Sequence, residues 1–284
     1  MESPQQALAR AYRTILSDVP SYWLDRSRVE DPVYSKLSGL FLPGTSDAYL
    51  NAHNRILVVG RETRAWNVVS SVAPFVDLDD YIQRAMTKQQ SFLSKALELP
   101  LDKGESFFNF LRALAPDHGK DGIAWANLFC LSLNGKSPMQ WEHIRELREI
   151  SERLLKTQIE ILKPNVIIFA NGASSAKYRR LYFPNKGESS VCSRLADYRD
   201  EGVPVGQLWR FHLYDSIPCF RIQHPSSISV GARAARQRLL EELRSSPPAR
   251  AICEADDPLC SSTIGNPGSV TMDDSRLLIG EARD

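Results

Sequence analysis

At 284 residues and a formal net charge of +1, the chain has room for one large domain or one and a half, and its overall charge does not announce a nucleic acid. It has no run of about 18 apolar residues, so no transmembrane helix is expected. Its first residues, MESPQQALARAY, lack the basic-then-apolar order of a secretory leader. The five cysteines, Cys130, Cys192, Cys219, Cys253 and Cys260, form no CxxC pair and are odd in number. That argues for a reducing, cytoplasmic setting and against a disulfide framework, a zinc site or an iron–sulfur cluster, so no metal or cofactor is expected. From Pro247 onward seven acids face three bases, a net of −4 that leaves the preceding body at +5. A body of that charge can carry a basic binding face.

In chain order, QQALARAYRTILS (5–17) has helical spacing at Leu8, Ala11, Tyr12 and Ile15. An irregular stretch follows to about Asn54, and residues 1–54 are expected to form an extension packed on the body. Ile56 to Val59 is a short buried strand that Gly60 ends, and Arg61, Glu62 and Arg64 follow at once. Residues 64–116 read as mainly helical, in three pieces: Asp77–Thr87, Gln90–Leu99 and Ser106–Leu114, with Pro100 stopping the second. The third carries Phe107, Phe108 and Phe110, an aromatic stripe of the kind that usually belongs to a core.

Ile123–Asn127 reads as the second strand, and Asn134–Pro138 as a loop. Gly135-Lys136-Ser137 lacks the first glycine of a P-loop, which excludes that kind of nucleotide site. Trp141–Leu162 is a long amphipathic helix stopped by Lys163-Pro164. Asn165–Ala170 is almost wholly apolar, as a strand covered on both faces should be. Asn171-Gly172 turns the chain into a helix from about Ser174 to Tyr182. Residues 184–206 read as loop, Gln207–Tyr214 and Cys219–Gln223 as two strands, and Val230–Arg244 as the final helix. Residues 55–246 are thus the α/β domain, and 247–284 an acidic tail expected to be flexible.

Strands alternating with helices predict a three-layer α/β/α architecture with a mostly parallel central sheet. Three strands end in polar residues: Gly60-Arg61-Glu62, Asn127 and His224. If those strands are parallel neighbours, all three groups point into one crevice outside the carboxyl ends, where open α/β sheets hold their ligands.

A Gly-x-Glu turn after the first strand, an asparagine ending an inner strand and the late loop His224-Pro225-Ser226-Ser227-Ile228-Ser229 resemble the uracil-DNA glycosylase superfamily. The likeness covers about residues 50–245. The late loop is its most specific part; Thr63 departs from the proline usual after the acid.

The resemblance implies hydrolysis of an N-glycosidic bond in DNA, expected to be double-stranded and bound by a monomer. The base leaves as an anion while the sugar gains positive character. The reaction needs a carboxylate to orient water and a donor to meet the departing base. Glu62 matches the first role, His224 the second, and Asn127 the amide that reads the base edge. The base must first be flipped from the duplex. Ile228 matches the residue that fills the gap. Ser226 and Ser227 can bond flanking phosphates, and Arg233, Arg236 and Arg238 can add charge contacts. Phe75 is a candidate stacking face.

The uracil-specific branch has an aromatic gate two residues after the acid, and this chain has Arg64 there. With Arg61, it points to a pyrimidine carrying a bulky, polar C5 group, such as the glucosylated hydroxymethylcytosine of phage DNA that anti-phage glycosylases excise. Repair of uracil or mismatched thymine, a catalytically silent DNA-binding module and a hydrolase of small nucleosides remain as alternatives. Each residue also has an ordinary explanation: Glu62 as a helix-start acid, Asn127 as a turn cap, His224 as a satisfied loop histidine, Ile228 as core, and the arginines as a solvated face.

Overall fold

The computed structural model describes residues 2–20, 23–24, 36–64, 66–68 and 75–245. The acidic tail lies outside the described residues.

The first helix, α1 (Pro4–Leu16), starts where the sequence supplies a capping box. The Ser3 hydroxyl accepts from the Gln6 amide, the Gln6 side chain accepts from the Ser3 amide, and Pro4 opens the first turn. Its buried face, Leu8, Tyr12, Ile15 and Leu16, packs against helices later in the chain. The short helix α2 (Asp47–Asn51), capped by Ser46, was not legible in the irregular stretch.

Strand β1 (Ile56–Gly60) is wholly buried. The next helix, α3 (Leu78–Glu98), corrects the expected pair of helices. Nothing between Thr87 and Gln90 breaks a helix, and Asp77 caps its start by accepting from the Asp80 amide. α4 (Ser106–His118) runs four residues further than expected, with Pro116 in its last turn.

β2 (Ile123–Asn127), α5 (Ile144–Leu162) and β3 (Val166–Phe169) follow. Then come α6 (Ala176–Tyr182), β4 (Cys192–Asp197), β5 (Leu208–Leu213), β6 (Ile217–Ile222) and α7 (Val230–Ser245).

β4 corrects the reading of 184–206 as loop. It pairs antiparallel with β5 at the sheet edge, with an irregularity between Ser193 and Ala196, and only Cys192 of its six residues is buried. An edge strand of that kind carries no buried stripe to betray it.

The chain is α/β, with one six-stranded sheet ordered β2-β1-β3-β6-β5-β4 and flanked by helices. β2, β1, β3 and β6 are parallel; β5 and β4 are antiparallel. The change of direction follows from chain length: the three residues between β5 and β6 allow a hairpin but no crossover. Tyr214 and Asp215, both at positive φ, make that tight turn.

Alternate residues of β1 feed two cores. Leu57 and Val59 join Tyr12, Tyr81, Leu154 and Phe169 on one face. Ile56 and Val58 join Leu111, Trp125 and Leu239 on the other. Burying each such aliphatic side chain contributes about 1.5–3 kcal/mol. Among the described residues, no helix is long and apolar enough to cross a membrane.

Candidate active site

The parallel register decides what meets what. Gly60 of β1 is the direct partner of Asn127 of β2. The turn after β1 is then held against the chain leaving β2, because Leu128 N–H donates to the Gly60 carbonyl (2.9 Å) and Phe129 N–H to the Arg61 carbonyl (2.8 Å). β6 runs beside β3 rather than β1, so His224 reaches the same end of the sheet across the end of β3. There Asn171-Gly172 turns tightly. Gly172 has φ of +78°, and a Cβ on it would lie 3.5 Å from the His224 backbone nitrogen.

The Glu62 side chain is only 3 % exposed, and Arg61 grips both its oxygens in a fork: Nε donates to one at 2.7 Å and Nη2 to the other at 2.9 Å. The expected base contact, Arg61, is therefore spent on its neighbour.

Asn127 is also tied down. Its Oδ1 accepts from Trp125 Nε1 at 3.1 Å and its Nδ2 donates to Thr63 Oγ1. The indole N–H can only donate, so it settles which end of the amide is oxygen. One lone pair on Oδ1 and one hydrogen on Nδ2 remain, the two elements a pyrimidine edge needs. Thr63, the departure from the familiar proline, is thus the residue that holds the amide.

His224 is locked by its own loop. Ser226 N–H donates to His224 Nδ1 (3.2 Å), with the Ser226 hydroxyl 2.7 Å from the same nitrogen. A backbone N–H on Nδ1 makes that nitrogen an acceptor, so the proton of the neutral ring sits on Nε2. Burial, reinforced by the guanidinium groups of Arg61, Arg64 and Arg236, pushes the imidazole down to about 4. At neutral pH the ring is an uncharged Nε2–H donor inside a positive field.

The late loop is built as a projecting tip. Ser227 N–H closes a turn onto the His224 carbonyl (2.8 Å), and Ser229 caps α7 by accepting from Ala232 N–H (3.2 Å). Arg233 Nε donates to the Ile228 carbonyl and Arg236 Nη1 to the Ser227 carbonyl. Ile228 is 80 % exposed and Val230 82 %. Ile228 is therefore not core, and Val230 stands out beside it.

Ser226 serves His224, and Arg238 belongs elsewhere: it pairs with Glu201 and Glu242 and lies over Tyr198. Arg64 is exposed. Phe75 packs edge-on against Tyr81 in the core cluster that holds Leu57 and Val59. The sequence's choice of stacking face is thus not among the groups gathered here.

Phe107 is among them. Its ring lies 22° from the His224 plane at 6.1 Å and 5.5 Å from Trp125, and two of its carbons are 3.3 Å from where a Gly60 Cβ would be. Topology held the missed signal. A helix leading into a parallel strand runs opposite to it, so the first turn of α4 sits at the carboxyl end of β2. Asn171, at the end of β3, is 1 % exposed, and neither of its side-chain polar atoms has a partner among the described residues. A buried amide left so is costly, about 1–3 kcal/mol, and marks it as a second candidate amide.

Among the described residues, no group of three or more His, Cys, Asp or Glu is arranged to hold a metal ion, and Cys130, Cys192 and Cys219 are free thiols. A scan against protein-family models gives no match, and neither does a search of curated proteins.

Proposed function

We propose that the chain is a DNA glycosylase of the uracil-DNA glycosylase superfamily that works inside the cell on double-stranded DNA as a monomer. It flips a modified pyrimidine out of the helix and hydrolyses its N-glycosidic bond, leaving an abasic site. Glu62 orients the water and offsets the positive charge on the sugar, and His224 donates from Nε2 to the departing base. Asn127 reads the base edge, and Phe107 offers a ring beside the same crevice.

The observation that carries this reading is the state of His224. A donor to a leaving anion must hold a proton without being so acidic that it loses its fit to the reaction. Burial, the surrounding guanidinium groups and the Ser226 amide make this ring a neutral Nε2–H donor next to the carboxylate turn. The exposed Ile228 at the loop apex, with Arg233 and Arg236 bracing its backbone, suits a side chain that fills the gap left by a flipped base.

The favoured substrate is a cytosine with a bulky polar C5 group, such as glucosylated hydroxymethylcytosine in phage DNA, which makes the role anti-phage defence. The support is the exposed arginine at position 64, where an aromatic gate would exclude C5 substituents. The test is a panel of duplexes carrying uracil, a G·T mismatch or glucosylated hydroxymethylcytosine, with alkali cleavage of abasic sites. Cutting is expected on the glucosylated base. Strong uracil cutting with none on the modified base would make the protein a repair enzyme and end the defence reading.

One observation favours a second reading, a DNA-binding module without catalysis: both Glu62 oxygens are already held by Arg61. It predicts duplex binding with no base release from any member of the panel.

A further inference from the structure

Three arginines meet under α6 with no counter-charge among the described residues. Arg179 and Arg180 lie on α6 and Arg221 on β6. With Asn185, Trp209 and Phe211 they line a pocket of about 310 Å³ into which no carboxylate is built. The register sets its position. Arg221 pairs with Phe169 and Trp209, on the sheet face of Phe169 and Phe211. The His224 ring stacks with Phe107, which packs on the other face. The pocket is separate from the crevice described above.

Arg179 is the most telling member. It is 7 % exposed, and its Nε and Nη1 are buried with no hydrogen-bond partner among the described residues. Its guanidinium lies over the Phe211 ring at 4.9 Å and the Phe169 ring at 5.8 Å, which fixes the plane of the fork. Its polar neighbours are the Cys192 and Cys219 thiols, and burial pushes both up, so they stay neutral at pH 7.

A guanidinium keeps its proton at neutral pH, and buried without an anion it destabilises the fold. Arg221 is anchored through Nη1 to the Gly206 carbonyl at 2.8 Å. Burial, and then repulsion from Arg179 and Arg180, pushes it down to about 10. An anion in the pocket would relieve all three. Three guanidinium groups suit phosphate, the half-buried Trp209 ring suits a flat group beside it, and the volume lies at the lower end of small-ligand sites, about 300–1,000 Å³.

We propose that this pocket binds the phosphate of a nucleotide-sized group, with Arg179, Arg180 and Arg221 as its ligands. The phosphate comes from a free nucleotide or from the backbone of bound DNA. The proposal does not depend on the glycosylase reading.

The test is thermal unfolding and calorimetric binding of the full chain with inorganic phosphate against chloride at equal ionic strength, and with deoxyadenosine monophosphate against deoxyadenosine. Duplex affinity is measured at two salt concentrations. Phosphate and the monophosphate are expected to raise the melting temperature, with deoxyadenosine inert. Arg180→Gln, an exposed change, should weaken binding about tenfold, as loss of a charged hydrogen bond does. Arg179→Met should abolish the response and leave the ligand-free chain as stable as before or more so.

If the source is DNA, the monophosphate binds no better than inorganic phosphate and Arg180→Gln lowers the salt slope of duplex binding by about one. If it is a free nucleotide, duplex binding is unchanged. The proposal is overturned if no phosphate probe or duplex responds to either substitution, or if Arg179→Met lowers stability while the phosphate response survives.

Discussion

Gly60→Ala is the sharpest probe of the candidate site, because it adds one methyl group at the joint between β1 and Asn127. The Cβ would stand 2.5 Å from Asn127 Oδ1 and 3.3 Å from two Phe107 ring carbons, whereas real Cβ contacts do not fall below 3.0 Å. The amide oxygen must therefore retreat by at least about half an ångström. It has little freedom to do so, since Trp125 Nε1 already donates to it at 3.1 Å and Thr63 holds the other end of the amide. Retreat on that scale takes the indole bond out of hydrogen-bonding range. Orphaning a buried indole N–H costs about 1–3 kcal/mol, and the crowding adds about 1–3 kcal/mol more. A total of roughly 2–6 kcal/mol lowers the melting temperature by roughly 4–24 °C for a body of this size. Base release should fall further than stability does, on the order of 100-fold, because displaced positioning groups are that costly. Gly104→Ala is the control, since its Cβ would meet nothing closer than 4.0 Å. The two variants are compared by thermal unfolding and by base release at a temperature where both are folded. If Gly60→Ala matches Gly104→Ala in both, the amide is not held as described and the site built on it fails.

Glu62→Gln should lower base release on the order of 10²–10³-fold with duplex binding intact, the scale expected when acid–base help is removed; gel-shift and single-turnover assays separate the two, and an unaffected rate would leave Glu62 without a catalytic role. Ile228→Ala should slow cutting of duplex by about 10- to 100-fold, from the loss of about 1.5–3 kcal/mol of buried side chain, and barely change cutting of a single strand; equal losses on both would exclude a wedge. The His224 ring, followed by NMR with His224→Gln for assignment, should titrate near 4 rather than 6.5. As pH falls below 6.5 the unfolded ring takes a proton first, so His224 costs the folded state stability between 6.5 and about 4 and no more below; a midpoint near 6.5 would remove the neutral-donor role. Arg64→Ala should cut activity on glucosylated hydroxymethylcytosine while sparing smaller bases, a selectivity read from the duplex panel; a uniform loss would place Arg64 on phosphate instead.

The elements that sequence made legible are those whose side chains are sorted by burial. β1, β2 and β3 are continuous apolar runs, and α5 and α7 are long and well bounded, so their positions could be read to within a few residues. β4 was illegible because CSRLAD is an exposed edge strand with an irregular ladder, and α2 because five residues carry too little period. The polar ends of β1, β2 and β6 could be read as one group because parallel strands bring their carboxyl ends together. Partnerships could not be read. Nothing in RILVVGRET says that Arg61 closes on Glu62 rather than on a ligand, or that Thr63 reaches 64 residues along to Asn127. Phe75 and Phe107 are both plausible rings in one dimension. Only the direction of α4 against β2 brings Phe107 to the crevice, and only the packing of Tyr81 takes Phe75 into the core.

The turn after β1 then divides its labour by side chain. Arg61 is spent on Glu62 and raises the positive field at His224. Thr63 is spent on Asn127. Arg64 is the member that projects outward, and it too adds to the field at His224. Under the glycosylase reading this arrangement has a consequence for charge. The departing base carries negative charge, and it would develop beside a neutral imidazole backed by three guanidinium groups. A protonated imidazole is expensive there, because burial first and the nearby guanidinium groups second disfavour a further positive charge. Keeping the histidine neutral puts the fixed field in the guanidinium groups around it. It leaves the proton on Nε2, where a hydrogen bond can strengthen as the glycosidic bond breaks.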